Sequence, residues 1–263
     1  MRLTTARVVA VLSAVTWLFL PGFGLIDLSV TWDPDWAVVL EASWATTMCV
    51  LVGGSFLALA VAPRRPAPAL VTLGATLVTW LVAMGVGLEP ALLLYVGMLA
   101  VEGALVTWLL AGVPGREPLR PGRWSVQWPL LVVAAAGVVP WLWHAERMLR
   151  ASRRDAGETI NELTMDVDHY TLQGAWALVL PTLALLAACW PRGRAHLGGG
   201  VGLSAGYVGL VSYAFPGTWG GFTPAWSVAC MAWAAAVVLL VLVPARSEPR
   251  ELRREVVEAE RAL

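Results

Sequence analysis

The chain has 263 residues, 58% hydrophobic and 14% charged, with 15 tryptophans and a formal net charge of zero. Soluble chains are about 25% charged, and runs of about 20 apolar residues, enough to cross a bilayer, recur along this one. All 18 basic residues are arginine, which excludes a lysine Schiff base with retinal or pyridoxal and a Walker A phosphate loop.

The predicted fold class is all-α: a polytopic membrane helix bundle of about eight transmembrane helices. The spans are expected at 8–30, 37–62, 68–88, 90–113, 128–148, 170–190, 199–216 and 224–244. They are continuously apolar rather than alternating, as helices in lipid must be. Residues 1–244 would form the bundle, with a cap over 149–170 and a charged tail over 245–263. The N-terminus imitates a signal peptide, with Arg2 and Arg7 before an apolar core. No small-x-small cleavage site follows, so it reads as a retained first helix.

The first span is interrupted by Pro21, Gly22, Phe23 and Gly24, and Asp27 follows directly. Proline removes a helix hydrogen bond and glycine eases bending. The expectation is a kinked or early-ending helix; the alternative is a broken transporter helix that exposes backbone to a cavity. The second span carries Glu41 about one turn in. The third and fourth form a hairpin around Gly87, Leu88, Glu89 and Pro90. Glu102 lies 12 residues beyond Pro90, roughly 18 Å deep and near the bilayer midplane. The loop 114–127 is basic and rich in proline and glycine, a seam between two four-helix halves.

The fifth span ends in Trp141, Trp143, His144, Glu146 and Arg147. Its apolar part is short, so the helix is expected to project beyond the membrane, where Glu146 and Arg150 pair at i,i+4. The polar stretch 158–173 follows, with Glu158, Glu162, Asp166, Asp168 and His169. Thr164 or Asp166 is the expected cap of the sixth helix. The seventh span is glycine-rich, with Gly202 and Gly206 in GxxxG spacing, a close-packing signal. Cys49, Cys189 and Cys230 fall in apolar runs and read as buried thiols.

Arginine sets the expected direction. With both termini cytoplasmic, 14 of the 18 arginines are inside, as cytoplasmic loops prefer. Only six of the 18 acids are. Trp32, Trp36, Trp141, Trp143, Trp176, Trp219 and Trp226 would form the outer aromatic belt. The arginine-only composition resembles that of high-GC bacterial proteins, so the expected location is a bacterial inner membrane.

Ionisable groups inside a bilayer are costly and need a reason. The first functional expectation is an outward-facing acidic pocket. Glu102, Asp27, Glu41 and His144 would line it and bind or transport a proton, cation or small polar ligand. The second is a metal-dependent enzyme with His144, Asp166, Asp168 and His169 as divalent-metal ligands. The third is a non-catalytic membrane scaffold or assembly subunit. No catalytic residue is assigned: there is no GxSxG, and Ser204 between Gly202 and Gly206 is a poor nucleophile elbow. The balance leans against an enzyme. No cofactor is implied beyond that divalent metal. The expected partners are the lipid bilayer, the small ligand or cation and, for a scaffold, another membrane protein; nucleic acid is not expected.

Overall fold

The computed structural model describes residues 2–36, 38–118, 124–155 and 169–242. Every element among them is helical: α1 (Arg2–Leu18), α2 (Gly24–Val30), α3 (Val38–Thr46), a π-helical segment (Thr47–Gly53), α4 (Gly54–Val61), α5 (Ala67–Gly87), α6 (Leu92–Ala111), α7 (Trp128–Asp155), α8 (His169–Cys189), α9 (Arg194–Ala214) and α10 (Pro224–Leu242). Each expected span is matched by helix. Six helices are long and apolar enough to cross a membrane: Val38–Val61, α5, α6, α7, α8 and α10. The broken first span and the glycine-rich α9 fall outside that group. The cap residues 156–168 and the tail 245–263 lie outside the described residues.

The bundle has two ends, fixed by cross-helix contacts. At one, the backbone N–H of Glu117 donates to the Arg64 carbonyl, and Arg194 reaches the carbonyls of Ala187 and Ser125. At the other, Ser152 on α7 donates to the Gly87 carbonyl and sits 2.6 Å from the Thr171 hydroxyl on α8. There too, Gln173 on α8 donates to the Gly220 carbonyl. This second end is called the His169 end below. Helix α7 has 28 residues, about 42 Å at 1.5 Å per residue, longer than a hydrocarbon core of about 30 Å, and Glu146 and Arg150 form an ion pair on it.

Two apolar cores lie side by side. One gathers around Trp17, Trp44 and Trp80 of the first four spans. The other gathers around Trp141, Trp176 and Trp190 of the last four. The second span contributes to both, with Val38 and Ala42 in the latter and Met48 and Phe56 in the former. It and α8 are the most enclosed spans, 67% and 72% buried. Helix α9 meets α10 through its glycines. A Cβ at Gly202 would strike Val238, and one at Gly209 would press on Met231. Lipid offers no hydrophobic drive for such contacts, so close backbone approach does the work.

Two expectations are corrected. Trp32, Trp36, Trp143, Trp219 and Trp226 are exposed, but Trp141 and Trp176 are core residues at 6% and 0% exposure. The Trp176 indole instead donates to Ser204 Oγ at 2.7 Å. His196 falls between the expected spans 170–190 and 199–216, where a loop was expected. It lies in α9, and its Nε2 is 3.3 Å from Ser55 Oγ.

Candidate functional site

The site grows from the break in the first span. Helix α1 stops at Leu18, and the chain turns through residues 19–23, with Phe23 at φ 56°, before α2 begins. Pro21 cannot continue a hydrogen-bonded helix. Gly22 is required by space, because a Cβ there would fall 2.6 Å from the Trp17 Cα. Buried carbonyls freed by a break need donors. The Trp44 indole N–H supplies one to Gly22 at 2.9 Å, and the Tyr95 hydroxyl approaches Pro21 at 3.5 Å. The freed backbone therefore faces aromatic donors.

Trp44 is the hub. Its ring stacks on His169 with centroids 4.5 Å apart and planes 24° apart, and meets Tyr95 edge-on at 5.0 Å. Glu41 precedes Trp44 by three residues, so both project from one face of α3. The Nδ1 of His169 lies 3.1 Å from Glu41 Oε1, with the side chains 7% and 3% exposed. This is a buried carboxyl–imidazole contact between the second span and the first residue of α8, an ion pair when the imidazole is protonated. Neither atom makes a well-aligned hydrogen bond, so the contact is chiefly electrostatic. Asp27 on α2 is half-buried and within electrostatic reach of Glu41, Tyr95 and Cys49.

Glu102 belongs to the same network from the opposite side. Its Oε2 accepts the Trp17 indole N–H at 2.7 Å, and the Ser13 side chain also bonds to it. Ser13 and Trp17 are one turn apart on α1 and present one face to α6. Trp17 in turn packs on Trp80 at 5.8 Å and on Tyr95 at 6.3 Å. Glu102, Trp17, Tyr95, Trp44, His169 and Glu41 thus form an unbroken polar-aromatic chain through the first core.

His144 stands apart. It is 3% exposed and packs against Trp141 and Phe222. Both its ring nitrogens lack a hydrogen-bond partner among the described residues. It lines a cavity of about 270 Å³ between α7 and α10. None of Asp27, Glu41 and Glu102 lines that cavity, nor a second one between α5, α7 and α8. The structure therefore brings Asp27 and Glu41 together, ties Glu102 to them through Trp17, and separates His144 from all three. Of the expected metal ligands, His144 and His169 have different neighbours, and Asp166 and Asp168 lie outside the described residues. Among the described residues no group of three or more His, Cys, Asp or Glu is placed to hold a metal.

Trp44 and Trp17 are the functional residues that the sequence reading missed. The available signal was spacing: each sits three or four residues from a polar residue of the network, Glu41 and Ser13 respectively. Fifteen tryptophans in one chain hide any two.

The fold, with six helices able to cross a bilayer and ionisable groups buried between them, fits a multi-pass membrane protein. Comparison with protein-family models, with curated proteins and with solved structures found no match.

Proposed function

We propose that this protein binds and releases a proton or small cation within the membrane, at the Asp27–Glu41–His169 cluster, and that the outer face supplies it. The observation that carries the reading is the buried Glu41–His169 pair at 3.1 Å with a third ionisable group, Asp27, in electrostatic range. With both carboxyls ionised and the imidazole protonated, the cluster carries a net charge of minus one, and one added proton or monovalent cation neutralises it. Isolated charge in an apolar interior is strongly disfavoured, so that state favours uptake of a single positive charge. Glu102 extends the site by the Trp17 route and sits deeper, where a charge moving inward would next find a carboxylate.

The arginine asymmetry of the loops supports the direction, with the His169 end outward. The break in the first span supplies a movable part. Its carbonyls are held by Trp44 and Tyr95, and Trp44 also rests on His169. A change of charge on the imidazole therefore bears directly on the residue that clamps the break.

The test is electrical. Proteoliposomes adsorbed on a solid-supported membrane receive a step in external pH. The wild-type chain is expected to give a transient charge displacement, lost in Glu41→Gln and Asp27→Asn and reduced in Glu102→Gln. Equal displacement in all four proteins, or none in the wild type, defeats the proposal.

A further inference from the structure

The cavity beside His144 has no role in the cation site and is built for a different guest. Its floor and walls run along α7 and α10: Ala136 and Pro140 on one side, Ala229 and Trp233 on the other. From Ala136 to Arg147 is 11 residues, about 16 Å along the helix. That is about half of a 30 Å hydrocarbon core, the depth of one leaflet. Gly137 makes room for Trp233, because a Cβ there would lie 2.6 Å from the indole nitrogen. Trp233 donates to the Val133 carbonyl at 2.8 Å.

The chemistry changes along its length. The deep part is alanine, proline and tryptophan. At the His169 end the lips are Trp143 and Trp226, ring centroids 6.4 Å apart and 54% and 46% exposed. Tryptophan at that level is the signature of a membrane–water interface. His144 lies level with the lips and Arg147 about one turn beyond them, three residues apart on one helix face. Arg147 is exposed, and among the described residues no carboxylate is within salt-bridge distance of it; the neighbouring Glu146 is taken by Arg150. His144 is buried with both nitrogens unmet among the described residues, and unmet polar atoms at that depth call for a partner.

We infer that the α7–α10 cavity seats one anionic phospholipid, its acyl chain along Ala136, Pro140 and Ala229 and its phosphate on Arg147. The imidazole N–H of His144, one turn deeper, donates to the glycerol ester carbonyl, which lies just below the phosphate in any diacyl lipid. A guanidinium suits phosphate by bidentate hydrogen bonding. The arginines at that end of α7 add a positive field, which a zwitterionic headgroup meets with less gain than a net-negative one.

Native mass spectrometry of the full chain in neutral detergent tests this, with equimolar phosphatidylglycerol and phosphatidylcholine of the same chains added. The wild type should retain one phosphatidylglycerol, preferred about fivefold, the selectivity that one interfacial arginine confers. Ala229→Trp fills the slot from an exposed position on α10 and should lose that lipid. Arg147→Gln should keep one lipid but bind both kinds equally. Ala136→Trp fills the slot from α7 and replaces the first variant if that one is not monodisperse. Unchanged phosphatidylglycerol retention in the filled variants means only annular lipid was seen and overturns the inference. So does an undiminished preference in Arg147→Gln, or displacement of the lipid by inorganic phosphate alone.

Discussion

His144 and His169 flank one polar loop, near the end of α7 and at the start of α8, and both are buried. Their surroundings are opposite. His169 has a carboxylate at 3.1 Å and an indole stacked on its face; His144 has an aromatic wall and two nitrogens unmet among the described residues. The difference arises across the bundle rather than along the chain. His169 faces the second span, which brings Glu41 and Trp44. His144 faces α10, whose 19 residues include no acid at all. A histidine's role in a membrane is thus set by the helix opposite, and charge is tolerated where that helix supplies its counter-charge.

The largest effect should come from splitting the pair. Glu41→Ala leaves the imidazole buried without its carboxylate and should lower unfolding free energy by about 3–5 kcal/mol, read by denaturant unfolding in micelles. Replacing both members, Glu41→Leu with His169→Phe, should recover most of that loss, since an apolar pair of similar volume avoids the desolvation cost. A double variant as unstable as the single one would mean that Glu41 acts through something other than His169. Next comes the hub. Trp44→Phe keeps a ring against His169 but strands the Gly22 carbonyl, at about 1–3 kcal/mol.

His144→Phe should lie within about 1 kcal/mol of wild type in the same assay without added lipid, because it removes polar atoms that have no partner among the described residues. A loss as large as that of Glu41→Ala would erase the contrast between the two sites. Smallest of all is Glu146→Gln, two residues from His144. Its ion pair with Arg150 is half-exposed, 49% and 53%, and such pairs contribute about 0.5 kcal/mol or less.

That each expected span is helical was legible in the sequence, because hydrocarbon demands long apolar runs and leaves little choice of conformation. The break at Pro21 and Gly22, the length of α7 and the glycine contacts of α9 were also legible, since each follows from local residue types. The site was legible in part. Glu41, Asp27 and Glu102 stood out as acids in apolar runs, but their partners lie on other helices. Trp17 precedes Glu102 by 85 residues, and no periodicity links the two. His144 and His169 were placed together by their nearness in sequence, and helix packing turned them to different neighbours. Trp141 and Trp176 were read as interfacial from position alone; their rings meet edge-on at 5.2 Å inside the second core.

The π-helical segment Thr47–Gly53 lies directly below this site, in the span that serves both cores. Wider turns of that kind are rare and absorb an extra residue into an otherwise regular helix. Each residue of an α-helix accounts for about 100° of rotation. Forcing the segment into ordinary α geometry with all its residues kept would swing everything above it by about that angle. The carboxylate of Glu41 would then sweep off the imidazole although no atom of either had been altered. The wide turn is in effect a phase setting, and the meeting of Glu41 and His169 depends on its being kept.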